Sequence, residues 1–271
     1  MSSSTPFADS LFWSLRSPEG KESFLFGTLH VIDDTKIALP VSELEQILKS
    51  KEALFVEINP HDLDDLREQG LEQLGSETEM SQKTASETLS PEDLERLRNV
   101  LNASPRLSPM KDHLEHLPVG SLAQLVRVET QLRSELFDQS TFEPETHFVD
   151  VAMKEEIPVE SLERVEEQFA HMHENEDLAE ALDEYYADDA FDMFERYVEQ
   201  NLLLVRDKDL NSPAMVERNR TLASKLDHVL RDKEGLVLVG AAHLPLDHGV
   251  LAGLSREGWT VRKVELPVER R

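Results

Sequence analysis

Leu236-Val237-Leu238-Val239-Gly240-Ala241-Ala242-His243 decides how the rest of this chain reads. Four aliphatic residues in a row, with no polar alternation, suit a strand covered on both faces, as in a parallel sheet. A glycine directly after them lets the chain turn sharply, because no Cβ obstructs a bend or a close backbone approach. His243, three positions on, can then project back over the strand end. Near the N-terminus the pattern recurs as Phe24-Leu25-Phe26-Gly27-Thr28-Leu29-His30. A third apolar run, Ala53-Leu54-Phe55-Val56-Glu57-Ile58, carries a carboxylate at its end and stops at Asn59-Pro60.

Working outward, Leu11-Phe12-Trp13-Ser14-Leu15 reads as a strand, followed by a turn at Ser17-Pro18-Glu19-Gly20. A helix is predicted from Pro40 and Ser42, with Ser42 and Glu45 as a capping box and Leu44, Ile47 and Leu48 on one face. Residues 61–210 are dominated by acidic helical patterns, including a helix start at Ser90-Pro91 and helical spacing from Asp177 to Arg206. Ile157 to Leu162 interrupts them as a short strand. Ser212-Pro213 starts a long helix reaching about Asp232, and a helix from Val250 to Arg256 precedes an edge strand from Thr260 to Leu266. The expected architecture is one α/β domain over 1–271. Its core strands and helices come from 1–60 and 211–271, with 61–210 a mainly helical insertion. The sheet is expected to be central, mixed or mostly parallel, with flanking helices.

Composition narrows the partners. The 271 residues include 28 Lys and Arg against 55 Asp and Glu, a formal net charge of −27, and no cysteine. Disulfides and thiolate chemistry are therefore excluded. So negative a field repels phosphate backbones and anionic membrane surfaces, which argues against nucleic-acid and membrane partners. No stretch approaches the roughly 20 apolar residues of a bilayer-crossing helix. Met1 to Ser10 lacks the basic and apolar regions of a signal peptide, so a cytoplasmic location is expected.

In open α/β sheets, sites collect beyond the carboxyl ends of the strands. His30, Glu57 and His243 occupy such ends, with Gly27 and Gly240 making the turns. One Gly-x-x-His is weak, and a single strand-end histidine is usually structural. Two copies, each directly after an apolar strand, favour a shared site. A carboxylate ending a buried run is costly unless paired, hydrogen-bonded or bound to a cation. Two imidazoles and a carboxylate form an open set for a divalent transition metal, and would equally serve as general acid and base without one. On the helix after Pro213, Met215, Leu222, Leu226 and Val229 form a stripe with Arg218 and Asn219 at its edges. Arg218 thus faces inward, as a structural ion pair, a support for Glu57, or a clamp for a substrate carboxylate or oxyanion. His171-x-His173 has the wrong spacing for one helical face, and no carboxylate pattern makes a site of His113 and His116. A Gly-rich phosphate loop, a Gly-x-Ser-x-Gly elbow and a His-Glu-x-x-His motif are all missing.

Four blocks resemble the TraB/GumN family, which includes the pheromone-shutdown protein PrgY and the TIKI proteases. They are Phe24 to Val31; Leu54 to Ile58; Asp150 followed by Val159 to Gln168; and Glu217-Arg218-Asn219 through Gly240-Ala241-Ala242-His243-Leu244-Pro245 to Gly249. The resemblance implies a core related to erythromycin esterase and the haem-binding protein ChaN. It also implies a site of His30, Glu57 and His243, with Arg218 and Glu163 contributing. The TIKI branch is associated with divalent-metal-dependent peptide hydrolysis. The expectation is therefore a peptidase or amidase using Mn, Co, Zn or Fe on a peptide or small-molecule substrate. The alternatives are a non-catalytic peptide- or haem-binding regulator and a metal-free esterase-like hydrolase. Arg164, where the family pattern has threonine, and Leu246-Asp247-His248-Gly249, in place of Gly-Glu-Asp-Gly, depart from it and bear on substrate preference.

Overall fold

A computed structural model describes residues 6–62, 84–111, 117, 119–137, 141–164, 177–187 and 192–271. His113, His116, His171, His173 and the block end from Val165 to Gln168 lie outside the described residues.

β1 (Phe12–Arg16) and β2 (Glu22–Thr28) form a hairpin. The Gly20 N–H donates to the Ser17 carbonyl at 3.0 Å, and Gly20 takes φ of 94°, a value that suits a residue without Cβ. After β3 (Ile37–Ala38), α1 (Val41–Lys49) buries Leu44 and Leu48. The capping box read at Ser42 and Glu45 does not form. Pro40 occupies the cap without a side-chain bond, Ser42 falls inside the first turn, and Glu45 instead meets His147 Nε2 at 2.9 Å. β4 (Ala53–Val56) is buried along its whole length. There follow α2 (Ala85–Thr88), α3 (Pro91–Ala103), α4 (Val119–Gln131), α5 (Pro144–Lys154), β5 (Val159–Ser161), α6 (Leu178–Tyr186), α7 (Met193–Val198) and α8 (Asp207–Leu210). α9 (Pro213–Asp232), β6 (Gly235–Gly240), α10 (Val250–Arg256), β7 (Thr260–Lys263) and β8 (Glu269–Arg270) complete the order.

Six strands form one mixed sheet in the order β5-β4-β6-β2-β1-β7. β5, β4, β6 and β2 run parallel, whereas β1 is antiparallel to both β2 and β7. The unbroken apolar runs lie at the centre, where Leu54, Phe55, Leu236, Val237, Leu238 and Val239 are fully buried. Each such side chain contributes about 1.5–3 kcal/mol of burial free energy, so the central register is strongly specified. That register sets Gly27 opposite Val239 and Thr28 opposite Gly240, which makes the two Gly-x-x-His segments neighbours. A Cβ on Gly27 would fall 2.8 Å from Leu244 Cδ1 and 3.0 Å from Ala241 Cβ, so the two segments pack directly on one another. β3 and β8 pair separately as a two-stranded ribbon.

Two compact units are distinguished. The sheet-bearing unit comprises Met1–Asp64, Glu135–Val165 and Met193–Arg271. The other comprises Asp65–Ser134 and Glu166–Asp192. Within 61–210, then, α5, β5, α7 and α8 belong with the sheet. The helical unit has its own core, with Leu97, Val100 and Leu101 of α3, Leu122 and Val126 of α4, and Ala181 and Leu182 of α6. Ser90 caps α3 by accepting from the Asp93 N–H at 3.1 Å, with Pro91 in the first turn. Among the described residues no helix is long and apolar enough to cross a membrane.

Candidate active site

Parallel strands present their carboxyl ends on one side, and four candidate side chains follow those ends. His30 follows β2, Glu57 follows β4, Glu163 follows β5, and His243 closes the 3₁₀ turn after β6. α9 supplies Arg218 and Asn219 from its second turn. It is started by Ser212, which accepts from the Met215 N–H at 3.2 Å, and by Pro213 in its first turn. All these residues belong to the sheet-bearing unit.

Arg218 joins the two carboxylates. Its Nε donates to Glu163 at 2.8 and 3.1 Å, while Nη2 donates to Glu163 Oε2 at 2.5 Å and to Glu57 Oε2 at 2.7 Å. The other Glu57 oxygen, Oε1, accepts from the Gly240 N–H at 2.5 Å. The strands tie in as well, since the Glu163 N–H donates to the Glu57 carbonyl at 2.7 Å. His243 is buried, with Nδ1 2.6 Å from Asn219 Oδ1 and Nε2 4.0 Å from Glu57 Oε1. His30 stands at the mouth, with 71% of its side chain exposed and Nδ1 3.4 Å from Glu145 Oε1. Glu145, in the first turn of α5, also accepts from the Thr28 hydroxyl. Beneath the first motif, the buried Tyr197 hydroxyl donates to the Gly27 carbonyl at 2.9 Å.

The surroundings separate the titrations. Burial works to raise the Glu57 pKa, but the charges of His243 when protonated, of Arg218 and of His30 outweigh it, with help from the Gly240 N–H. Its carboxyl is therefore held below the usual carboxylate range. Burial pushes the His243 imidazole down against the pull of Glu57, so its ring is neutral at neutral pH and Arg218 is the permanent cation beside Glu57. His30 moves the other way, raised to about 9 by its contact with Glu145, with further attraction from Glu57. Water around the open ring screens that attraction.

Arg218 thus joins Glu57 and Glu163, His243 stands 4.0 Å from Glu57, and His30 lies at the edge beside Glu145. Two participants were not singled out as site residues from the sequence. The buried stripe of α9 is Asn219, Leu222, Ala223, Leu226 and Leu230, in place of the stripe read through Met215 and Val229. An amide inside that stripe is the signal that would have identified Asn219. Glu145 carries no local signal, because Pro144-Glu145 reads simply as an acidic helix start. Beside α9 and α10 lies a cleft of about 760 Å³ whose lining includes Asn219, Arg220, Lys225, His248, Gly253 and Arg256. None of His30, Glu57, Glu163 and His243 lines it; polar groups converge at the strand ends instead.

Fold and site together define an α/β protein with paired Gly-x-x-His segments beside a buried Glu–Arg–Glu cluster. The sequence pattern of the TraB/PrgY/gumN family matches residues 11–263, and the chain belongs to that family. No curated protein and no solved structure matches the chain. The relation to erythromycin esterase and ChaN stays an implication of the resemblance.

Proposed function

We propose that this protein is a metal-assisted hydrolase of peptide or amide bonds, with a divalent Mn, Co, Zn or Fe ion held by His30, Glu57 and His243. The observation that carries the reading is the tether on His243. With Nδ1 engaged by Asn219 Oδ1, its Nε2 lone pair is turned toward Glu57, the arrangement by which partner groups orient metal-binding imidazoles. Glu57 retains coordinating capacity. A carboxylate has about four lone-pair sites, and Gly240 and Arg218 engage one on each oxygen. Among the described residues no group of three or more His, Asp or Glu side chains is set as a ready-made metal cage.

A bound divalent ion would lower the pKa of water and polarise the scissile carbonyl. Arg218, committed through Nε and Nη2 to Glu163 and Glu57, fixes Glu57 and offsets negative charge developing on the substrate carbonyl. A neighbouring carboxylate takes the proton of the attacking water and returns it to the nitrogen that leaves as the C–N bond breaks. The site opens beside His30, so the substrate approaches from the strand-end side.

Protein stripped with a chelator is expected to regain cleavage of a fluorogenic peptide library on adding Mn²⁺ or Co²⁺, and His243→Ala to lose it. Turnover in His243→Ala at the wild-type level would sink the proposal. Chelator-insensitive turnover would favour the metal-free esterase-like alternative. That reading draws on the bonds Glu57 already makes through both oxygens. Retention of a peptide or haem without turnover would instead indicate a binding or regulatory protein.

A further inference from the structure

We infer that Glu145 is a positioning residue for His30, holding Nδ1 so that Nε2 is the nitrogen offered to the site. The inference rests on the proposed placement of His30 in the site and adds the residue that controls its ring. His30 needs such control because its side chain is 71% exposed and packing does not fix its orientation. Glu145 is suited to the task, being only 13% exposed at its side chain and anchored by the Thr28 hydroxyl. Thr28 is itself buried at the end of β2, in register with Gly240. The tether thus runs from the sheet through Thr28 and Glu145 to a ring two residues beyond Thr28.

The chemistry of the partner sets the direction. An ionised carboxylate only accepts hydrogen bonds, so it pairs with Nδ1 when that nitrogen carries the proton, which leaves Nε2 as the free lone pair of the neutral ring. His243 is held at the same nitrogen by Asn219 Oδ1, 2.6 Å away. Both Gly-x-x-His imidazoles would thereby present Nε2, although their partners come from different helices, α5 and α9. The separation of 3.4 Å is long for a hydrogen bond, and contacts of this kind in ligand-free sites tighten when a ligand arrives. The competing account is a solvent-screened surface ion pair that leaves the ring's tautomer unbiased.

Long-range ¹H–¹⁵N spectra of the full-length protein separate the two accounts, recorded at a pH where the His30 ring is neutral and assigned with His30→Ala. The wild type is expected to be mainly Nδ1–H. In Glu145→Leu the balance should invert to the Nε2–H form that histidine prefers without a partner. Thr28→Val, which keeps the carboxylate but removes its anchor, should shift the balance partway and preserves a test if Glu145→Leu does not fold. Nε2–H in the wild type, or one unchanged balance across all variants that fold, would overturn the inference. In parallel, Co²⁺ affinity should fall about 10–100-fold in Glu145→Leu. Absence of Co²⁺ binding by the wild type would count against the metal-assisted reading alone, since the tautomer result still decides the role of Glu145.

Discussion

Arg218→Met is expected to unfold far more readily than the wild type, losing about 3–5 kcal/mol of stability. The guanidinium bonds both Glu57 and Glu163, whose side chains are only 7% and 5% exposed. Removing it leaves two carboxylates facing one another with little water to solvate them. Arg218 itself is 19% exposed at its side chain, so solvent entering the gap softens the effect toward the lower figure. Because the cost lies in uncompensated charge, adding Glu163→Gln to Arg218→Met should restore part of the stability, a coupling that independent sites would not show. Urea unfolding followed by tryptophan fluorescence reads the right unit, because Trp13 and Trp259 are both buried in the sheet-bearing part. Equal midpoints for Arg218→Met and the wild type would mean that the Glu–Arg–Glu contacts carry no net stability.

Glu57→Gln is the second large effect, and it falls on activity more than on folding. Glutamine keeps the shape and can still accept from the Gly240 N–H through its carbonyl oxygen. Its amide nitrogen then faces the Arg218 Nη2 donor where Glu57 Oε2 accepted, a cost limited because Arg218 retains Glu163 as an ionic partner. What disappears is the negative charge between Arg218 and His243 at the strand ends, which the proposed chemistry uses to hold the metal. Turnover of the library substrate is expected to drop about 10²–10⁴-fold, while the unfolding midpoint falls less than in Arg218→Met. Activity within a few-fold of the wild type would remove Glu57 from the reacting centre.

The central strands were legible because their apolar runs have one physical use. Leu236 to Val239 and Ala53 to Val56 can only be covered on both faces, and a residue shortly after such a strand falls at the carboxyl edge of the sheet. The same logic located His30, Glu57 and His243, and the helical period of α9 turned Arg218 inward. The resemblance added Glu163. Less was legible where tertiary approach decides. β3 and β8 have two residues each, too few for any periodicity. The Ser42 cap failed because the helix starts at Val41 with Pro40 at its cap, two positions earlier than the capping pattern implied. Glu145 meets Thr28 across 117 positions, and Asn219 meets His243 across 24. Nothing local to Glu145 announces that contact, while Asn219 announces itself only once the buried stripe is drawn through it.

The central claim is that both strand-end imidazoles and Glu57 serve one cation-binding site. Anomalous diffraction at the manganese edge, from crystals grown with Mn²⁺, tests it most directly. One dominant peak is expected at the strand ends, bonded to Nε2 of His30 and His243 and to Glu57. A strand-end region without a peak, with Glu57 still bound only to Arg218 and Gly240, would contradict it.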